Sequence, residues 1–388
     1  MSQEQQGINI VQRTLNQIRS NHQIRETGGF NAIPFKSFPK LNQLLPGVVK
    51  GSQTIITANS GVGKTQLTKR MYVLDAIEFV LGIADTNVLD LKIHYFALEE
   101  SAEEFVNSLI INKAYIDYGK IYSQDDLFSR HANSTLSPED LNIIESIAVI
   151  IERDYLPYLD LVDSIDNPYG IYKYLREYSQ DNGIHYYTKL KVSDGVFIPH
   201  TEYYALSEGQ RNIWKYSHYV PTNANKYEIV IVDHISLLQG ERGGSTMQAI
   251  QSWSSDYSRK QITKHWKYAS VLVQQQAADQ EKQQFTFGGN SIESKLEPSL
   301  DGLGDNKKTQ RDAHIVIGIF APNRFEIQNH RGYDVSQMQD NYRNAKILKN
   351  RFGPSHHRLA LYYNGAVNVF AELPTNIPDY PEYLRSMK

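Results

Sequence analysis

Thr54-Ile55-Ile56-Thr57-Ala58-Asn59-Ser60-Gly61-Val62-Gly63-Lys64-Thr65 is the stretch that decides the fold. Its first five residues, Thr54–Ala58, are a strand-length apolar run, and a helical pattern from Thr65 to Leu81 follows directly. A glycine loop between a strand and a helix, closed by Lys-Thr, is the context that separates a phosphate-binding loop from a chance match. Gly61 and Gly63 let backbone N–H groups turn inward on phosphates, Lys64 reaches the β- and γ-phosphates, and the Thr65 hydroxyl is placed to ligate Mg²⁺. The expected ligands are therefore ATP and Mg²⁺. The phosphate-binding set is Ala58, Asn59, Ser60, Gly61, Val62, Gly63, Lys64, Thr65 and Gln66, with Ala58 standing where the general pattern has glycine.

Further strand-length apolar runs occur at Ile93–Leu98, Ile229–Val232, Val271–Val273 and Ile315–Phe320, separated in part by helical patterns such as Met247–Tyr268. Runs apolar on both faces suit a parallel sheet covered on both sides, so the expected class is α/β with a central, mostly parallel sheet. Asp233 ends the run Ile229–Val232, where an acidic residue beside the phosphate loop would reach Mg²⁺, although strand-end aspartates are also common turn starters. Glu99 ends the run after the loop's helix, where a carboxylate could orient and deprotonate an attacking water. The following Ser101-Ala102-Glu103-Glu104 equally resembles a capped helix start.

The chain has 388 residues, 40% hydrophobic and 21% charged, with a net charge of −3 and a pI near 6.5. No apolar run approaches the roughly eighteen residues needed to span a bilayer, and the N-terminus lacks a secretory pattern, so the expected location is cytoplasmic. The absence of cysteine excludes disulfides, thiolate metal sites and thiol nucleophiles. Any nucleic-acid binding must come from local basic loops and not from a basic body.

Three regions are expected. Residues 1–29 read as an amphipathic helix, with Ile8, Val11, Leu15 and Ile18 on one stripe, ending at a Gly28-Gly29 joint. Residues 30–373 form the α/β domain, with an insertion at about 182–226 in which Thr188–Val192, Asp194-Gly195 and Val196–Ile198 suggest a hairpin. A closing hairpin is expected from Leu359–Tyr363 and Ala366–Phe370 around a two-residue Asn364-Gly365 turn. The tail, 374–388, with prolines at 374, 378 and 381, is expected to be extended.

The order of these elements resembles the ATPase domain of the DnaB-type hexameric replicative helicases, from about Phe30 to Leu373. Ile33-Pro34, Leu45-Pro46-Gly47 and Gly51 look like that family's opening segment, and a phosphate loop beginning with alanine is common in it. Phe96-Ala97-Leu98-Glu99-Glu100-Ser101 is similar to its S-L-E-M-S stretch, and Val232-Asp233-His234-Ile235-Ser236-Leu237 to its D-Y-L-Q-L strand end. The resemblance makes Glu99 the catalytic glutamate, Asp233 the second Mg²⁺ ligand and Gln275, in Gln274-Gln275-Gln276, the polar sensor of the γ-phosphate. Lys349-Asn350-Arg351-Phe352-Gly353-Pro354 resembles K-x-R-N-G-P, which implies that Arg351 is an arginine finger and Lys349 its partner, both acting on a nucleotide of the neighbouring subunit. Read without the likeness, the two are outward residues of an alternating strand, Ala345–Arg351. Family membership would further imply a RecA-like fold, a homo-oligomer of hexamer type, single-stranded DNA as partner, contacts with other replication proteins, and 5′ to 3′ travel.

Departures also mark the sequence. The family's R-E-S-G becomes Gly304-Asp305-Asn306-Lys307 in the stretch aligned to its DNA-contacting loop, where Lys307 and Lys308 supply phosphate-binding charge. Only 29 residues precede the ATPase region in place of a collar domain. A filament-forming strand-pairing ATPase and an ATP-switched scaffold or helicase-loading protein therefore stand as alternatives. A second candidate DNA loop is Gln239–Ser245, containing Arg242, Gly243 and Gly244. The insertion's interleaved aromatics and lysines, including Tyr186, Tyr187, Lys189, Tyr203, Trp214 and Lys215, read first as packing and second as a base-stacking surface. His356-His357 lacks a third ligand at metal-binding spacing.

Overall fold

A computed structural model describes residues 10–83, 89–130, 136–190, 196–277, 286–287, 290–291, 296–304 and 306–387. Helix α1 (Ile10–Glu26) is followed by strand β1 (Gln53–Ala58), helix α2 (Lys64–Lys69, continued through Arg70–Leu74 and Asp75–Leu81) and β2 (Asp90–Ala97). Next come α3 (Ala102–Tyr118), α4 (Pro138–Ile150), β3 (Leu159–Val162) and α5 (Pro168–Asp181). The insertion supplies β4 (Gly183–Lys189), β5 (Phe197–Pro199) and β6 (Trp214–Pro221), after which β7 (Lys226–Asp233), α6 (Thr246–Gln251, continued through Ser252–Trp266) and β8 (Ala269–Gln275) return to the main sheet. The chain then forms β9 (Ile315–Phe320), β10 (Tyr342–Asn350), β11 (Arg358–Asn364), β12 (Val369–Glu372) and α7 (Tyr380–Ser386).

Among the described residues the main sheet has nine strands in the order β12-β11-β10-β9-β1-β8-β7-β2-β3. The six from β9 to β3 run parallel, and β10, β11 and β12 extend the β9 edge in antiparallel fashion. The apolar runs are central because successive side chains leave a strand on opposite faces. Ile56, Ile231, Val271 and Ile317 feed one core, while Ile55, Val232, Leu272 and Val316 feed the other. The α/β expectation holds, and the phosphate-loop strand β1 lies between β8 and β9, buried along its whole length.

Four local expectations need correction. The closing hairpin exists, but Asn364 pairs with Val369 and the connection is a helical turn, Gly365–Val367. The Asn364 side chain accepts from the Ala366 amide, and Asn368 takes the positive φ of 55° that an Asn-Gly turn would have placed earlier. The inserted hairpin is one part of a three-stranded sheet, in which β6 pairs with β4 along its length; its expected turn at Asp194-Gly195 lies outside the described residues. β10 is buried on both faces along most of its length, so it is not the alternating surface strand that its polar residues suggest. The tail is not extended, because Asp379 caps α7 and Tyr380, Tyr383, Leu384 and Met387 pack on the core.

α1 leaves Val11, Leu15 and Ile18 exposed at 58%, 41% and 59%. The chain after it is anchored where Phe30 meets Phe79 edge-on, ring centres 4.8 Å apart. No helix among the described residues is long and apolar enough to cross a membrane.

Candidate nucleotide-binding site

The loop after β1 is shaped by two glycines in the left-handed region, Gly61 at φ 69° and Gly63 at φ 106°. Gly63 is the N-cap of α2, and a Cβ there would lie 3.0 Å from the Phe370 ring and 3.1 Å from the Tyr363 ring. Buried Arg343 on β10 donates from Nε to the Val62 carbonyl at 2.9 Å, and Arg324 donates to the Ser60 carbonyl. Two loop carbonyls are thus held by guanidinium groups, while the helix begins with its free N–H groups at the loop, the arrangement that receives anions. Lys64 Nζ lies 3.1 Å from the Asn59 carbonyl oxygen, folded back over the loop.

Sheet register brings the remaining groups to the same end. Gln275 pairs with Ala58, and Ala97 with Asp233, so the C-terminal ends of β1, β8, β7 and β2 open on one cleft of about 350 Å³. Lys64, Thr65, Glu99, Asp233 and Gln275 line it together, with Ser60, Gly61, Gly63 and Gln66.

Asp233 is buried, and the Tyr95 hydroxyl donates to its Oδ2 at 2.6 Å. Burial raises its pKa against the opposing pull of Tyr95, Thr65, Lys69 and His234. Oδ1 is buried without a hydrogen-bond partner among the described residues. An orphaned carboxylate oxygen on the Thr65 side of the cleft fits a hard divalent cation, which would restore the charged form. Among the described residues no cluster of three acidic or histidine side chains could hold a metal alone, so Mg²⁺ here would depend on oxygens of the nucleotide.

The adjacent glutamates have different surroundings. Glu100 Oε2 is 2.8 Å from Lys69 Nζ, which also donates to Ser108 Oγ at 2.8 Å and sits over the Phe105 ring. Glu99 is 61% exposed and faces the cleft, with His234 Nε2 at 3.5 Å from its Oε2.

Lys349 and Arg351 do not join this cleft. Asn350 pairs with Ile315, and Ile315 with Thr54, the N-terminal end of β1. Four residues of extended strand, roughly 13 Å, separate that level from Ala58. Lys349 donates to the Gln310 carbonyl, and Arg351 Nη2 to the Arg311 carbonyl at 2.8 Å. The two candidate DNA loops converge on the start of α6. Gly243 and Gly244 lead into it, and Asn306 and Lys308 hydrogen-bond to Met247 and Gln251. Lys307 is exposed beside them; the Arg242 side chain and Asp305 lie outside the described residues.

Sequence reasoning missed Tyr95, Lys69, His234, Gln124 and Tyr363. Tyr95 was findable, since it lies two residues before Ala97 on a strand paired with β7. Tyr363 comes from β11, stacks on Phe370 at 4.4 Å and reaches the cleft only through the tertiary fold.

A nine-stranded, mostly parallel sheet with a phosphate loop at the end of a central strand defines the RecA-like P-loop class. Within it, a solved ATPase domain of the DnaB-like helicase type matches with a TM-score of 0.64 at 15% identity, covering 95% of this chain and 100% of that chain. A DnaB-like replicative helicase, solved with regard to its interactions with primase, matches with a TM-score of 0.59 at 16% identity, covering 95% and 68%. The chain therefore has the fold of DnaB-like helicase ATPase domains. No sequence-family model and no curated protein sequence matches it.

Proposed function

We propose that this chain is an ATP-hydrolysing motor, a helicase or translocase of the DnaB-like class that acts as a ring on single-stranded DNA. The observation that carries the reading is the division of the site residues. Lys64, Thr65, Glu99, Asp233 and Gln275 share one cleft, while Lys349 and Arg351 lie at the other end of the same sheet.

In this reading the loop Ala58–Gln66 cradles the triphosphate, and Lys64 balances charge on the β- and γ-phosphates. Thr65 and Asp233 would hold Mg²⁺, which supplies electrostatic stabilisation of the phosphate oxygens. Glu99 positions a water and accepts its proton as oxygen attacks the γ-phosphorus and the bond to ADP breaks. Gln275 contacts the γ-phosphate. Arg351 and Lys349 of a second copy meet the charge that develops on the transferring group, so turnover depends on assembly. Loops around Gly243-Gly244 and Lys307-Lys308 grip DNA phosphates without reading sequence.

The test is ATP turnover with and without single-stranded DNA, for wild type and Arg351→Ala, with assembly recorded by light scattering. Stimulation by DNA, and loss of turnover in an Arg351→Ala protein that still binds ATP and assembles, supports the motor. Normal hydrolysis by Arg351→Ala removes the trans mechanism and leaves an ATP-binding switch.

A further inference from the structure

Beside Lys349 and Arg351 lies a third cation that no motif identifies. Arg259, half-buried on α6, has no carboxylate within hydrogen-bonding distance among the described residues; its Nη1 reaches only the Thr263 hydroxyl, at 3.4 Å. Arg259, Lys349 and Arg351 repel one another strongly enough that the Arg259 and Lys349 pKa values are lowered, burial being the larger cause in each. The acid that acts on both, Asp312, already accepts from Ser254 at 3.1 Å and Ser255 at 2.6 Å. His314 stands among the three cations and accepts the Gln53 amide at Nδ1 at 2.9 Å, so it is the neutral tautomer with its other nitrogen protonated. Phe352 stacks on that ring, centres 5.5 Å apart, which fixes its plane. The result is a surface with three cations, a neutral N–H donor and one occupied carboxylate.

Such a surface requires an anion, and the same chain displays the complementary charge elsewhere. The nucleotide cleft is lined by Glu99, Glu100, Glu104 and Asp233 against Lys64 as its one lysine or arginine among the described residues. A bound triphosphate adds more negative charge than Lys64 can balance. The chain's own cleft lies at the other end of the sheet, so a nucleotide bound there cannot reach the cationic patch. Two copies arranged head to tail bring the surfaces together.

We propose that Arg259 is a third phosphate-binding cation, which with Lys349 and Arg351 contacts the terminal phosphates of a nucleotide held by a second copy of this chain. The proposal rests on the trans reading of Arg351. Lys349 and Arg351 enter from a strand end, whereas Arg259 enters from a helix, so the three approach the phosphate from different sides.

The experiment compares Arg259→Ala and Arg259→Lys with wild type in steady-state ATP hydrolysis, nucleotide binding, thermal melting and assembly. It then mixes Arg259→Ala with Lys64→Ala. The first keeps an intact phosphate loop and the second an intact cationic patch, so a mixed assembly rebuilds complete sites only if Arg259 acts across the interface. The expected result is a fall in kcat of about 10-fold or more for Arg259→Ala. Nucleotide affinity and melting should stay near wild type, Arg259→Lys should retain part of the activity, and the mixture should exceed the sum of its components. Unchanged kcat overturns the proposal, as does a fall in kcat with no recovery on mixing. Loss of single-stranded DNA binding with normal DNA-free turnover also overturns it, because the patch would then serve DNA phosphates. An Arg351→Ala control mixed with Lys64→Ala separates the failures. Recovery there without recovery for Arg259→Ala leaves the trans reading standing and removes only Arg259, whereas full activity of Arg351→Ala alone removes both.

Discussion

Lys69 Nζ and Glu100 Oε2 meet at 2.8 Å in a largely buried ion pair, 7% and 21% exposed, which commits the second of two adjacent glutamates to structure. Glu99, one residue earlier, is left facing the cleft. Glu99→Gln should therefore lower kcat by about 100-fold or more while nucleotide still binds. Glu100→Gln leaves the Lys69 ammonium buried without its counter-charge and should destabilise the fold by about 3 kcal/mol. Turnover assays with nucleotide titrations, and thermal melts, separate the two effects. Equal loss of turnover with unchanged melting in both variants would contradict this division.

Gly63→Ala should damage the site without touching a phosphate ligand. Its φ of 106° is unfavourable for any L side chain, and the added carbon would press on the Phe370 and Tyr363 rings at 3.0 and 3.1 Å. The strain is about 1–2 kcal/mol, and relief by tilting the start of α2 would misplace Lys64 and Thr65. Nucleotide titration should show at least about tenfold weaker binding; wild-type affinity would mean the loop can absorb the side chain.

Glu297 is 2% exposed, yet carries Arg331 at 3.0 Å and Lys346 and Arg358 at 2.8 Å, with His330 at 3.5 Å. Burial alone would raise its pKa, but hydrogen bonds from these four partners hold it well below the carboxylate range. Its stabilisation is present above the unfolded pKa of about 4.3 and is lost as pH falls below it. Glu297→Gln should cost about 3–5 kcal/mol, because it strands buried cations on β10 and β11. Denaturant unfolding at pH 7 tests this, and a loss below about 1 kcal/mol would contradict it.

His185 produces a separate pH effect. It is buried, with Ser179 at 2.7 Å and Tyr216 at 3.2 Å, and burial, helped by His200 and Arg176, holds its pKa down to about 3. In the unfolded chain it takes up a proton near pH 6.5. Acidification through 6.5 thus favours unfolding by up to about 1.4 kcal/mol per pH unit. Melting curves at pH 7, 6 and 5 should fall steadily, and His185→Gln should reduce that slope whatever its effect at pH 7.

α1 presents Val11, Leu15 and Ile18 on an exposed stripe. If that stripe contributes to assembly, deleting residues 1–26 should leave nucleotide binding intact and lower the assembly size in light scattering. Unchanged assembly would locate the contacts wholly in the α/β domain.

The parts legible in the sequence were those whose meaning is local. The run from Thr54 to Thr65 contains its own strand, turn and helix start, and Asp233 and Glu99 end strands that the parallel sheet brings to the same edge. What could not be read depended on distant partners. Glu100 is occupied by a lysine 31 positions earlier, and Glu297 by cations 33 to 61 positions later. β6 escaped notice because its residues are mostly half-exposed, with no apolar run to mark it. Asn364-Gly365 misled because Asn368, four residues on, accepts the left-handed conformation. The tail helix depends on tyrosines that gain their apolar contacts only from the finished core.

The placement of the phosphate loop and the Lys349–Arg351 strand at opposite ends of one sheet sets an arithmetic for the proposed assembly. A solitary chain owns two half-sites and no whole one. An open row of n copies has n − 1 complete sites and an idle half at each end, so activity per chain climbs with length and never reaches its ceiling. Closing the row into a ring joins the two idle halves, and every chain then counts equally. Specific activity plotted against particle size therefore reports the topology: a plateau approached gradually indicates an open row, and a jump at one size indicates closure.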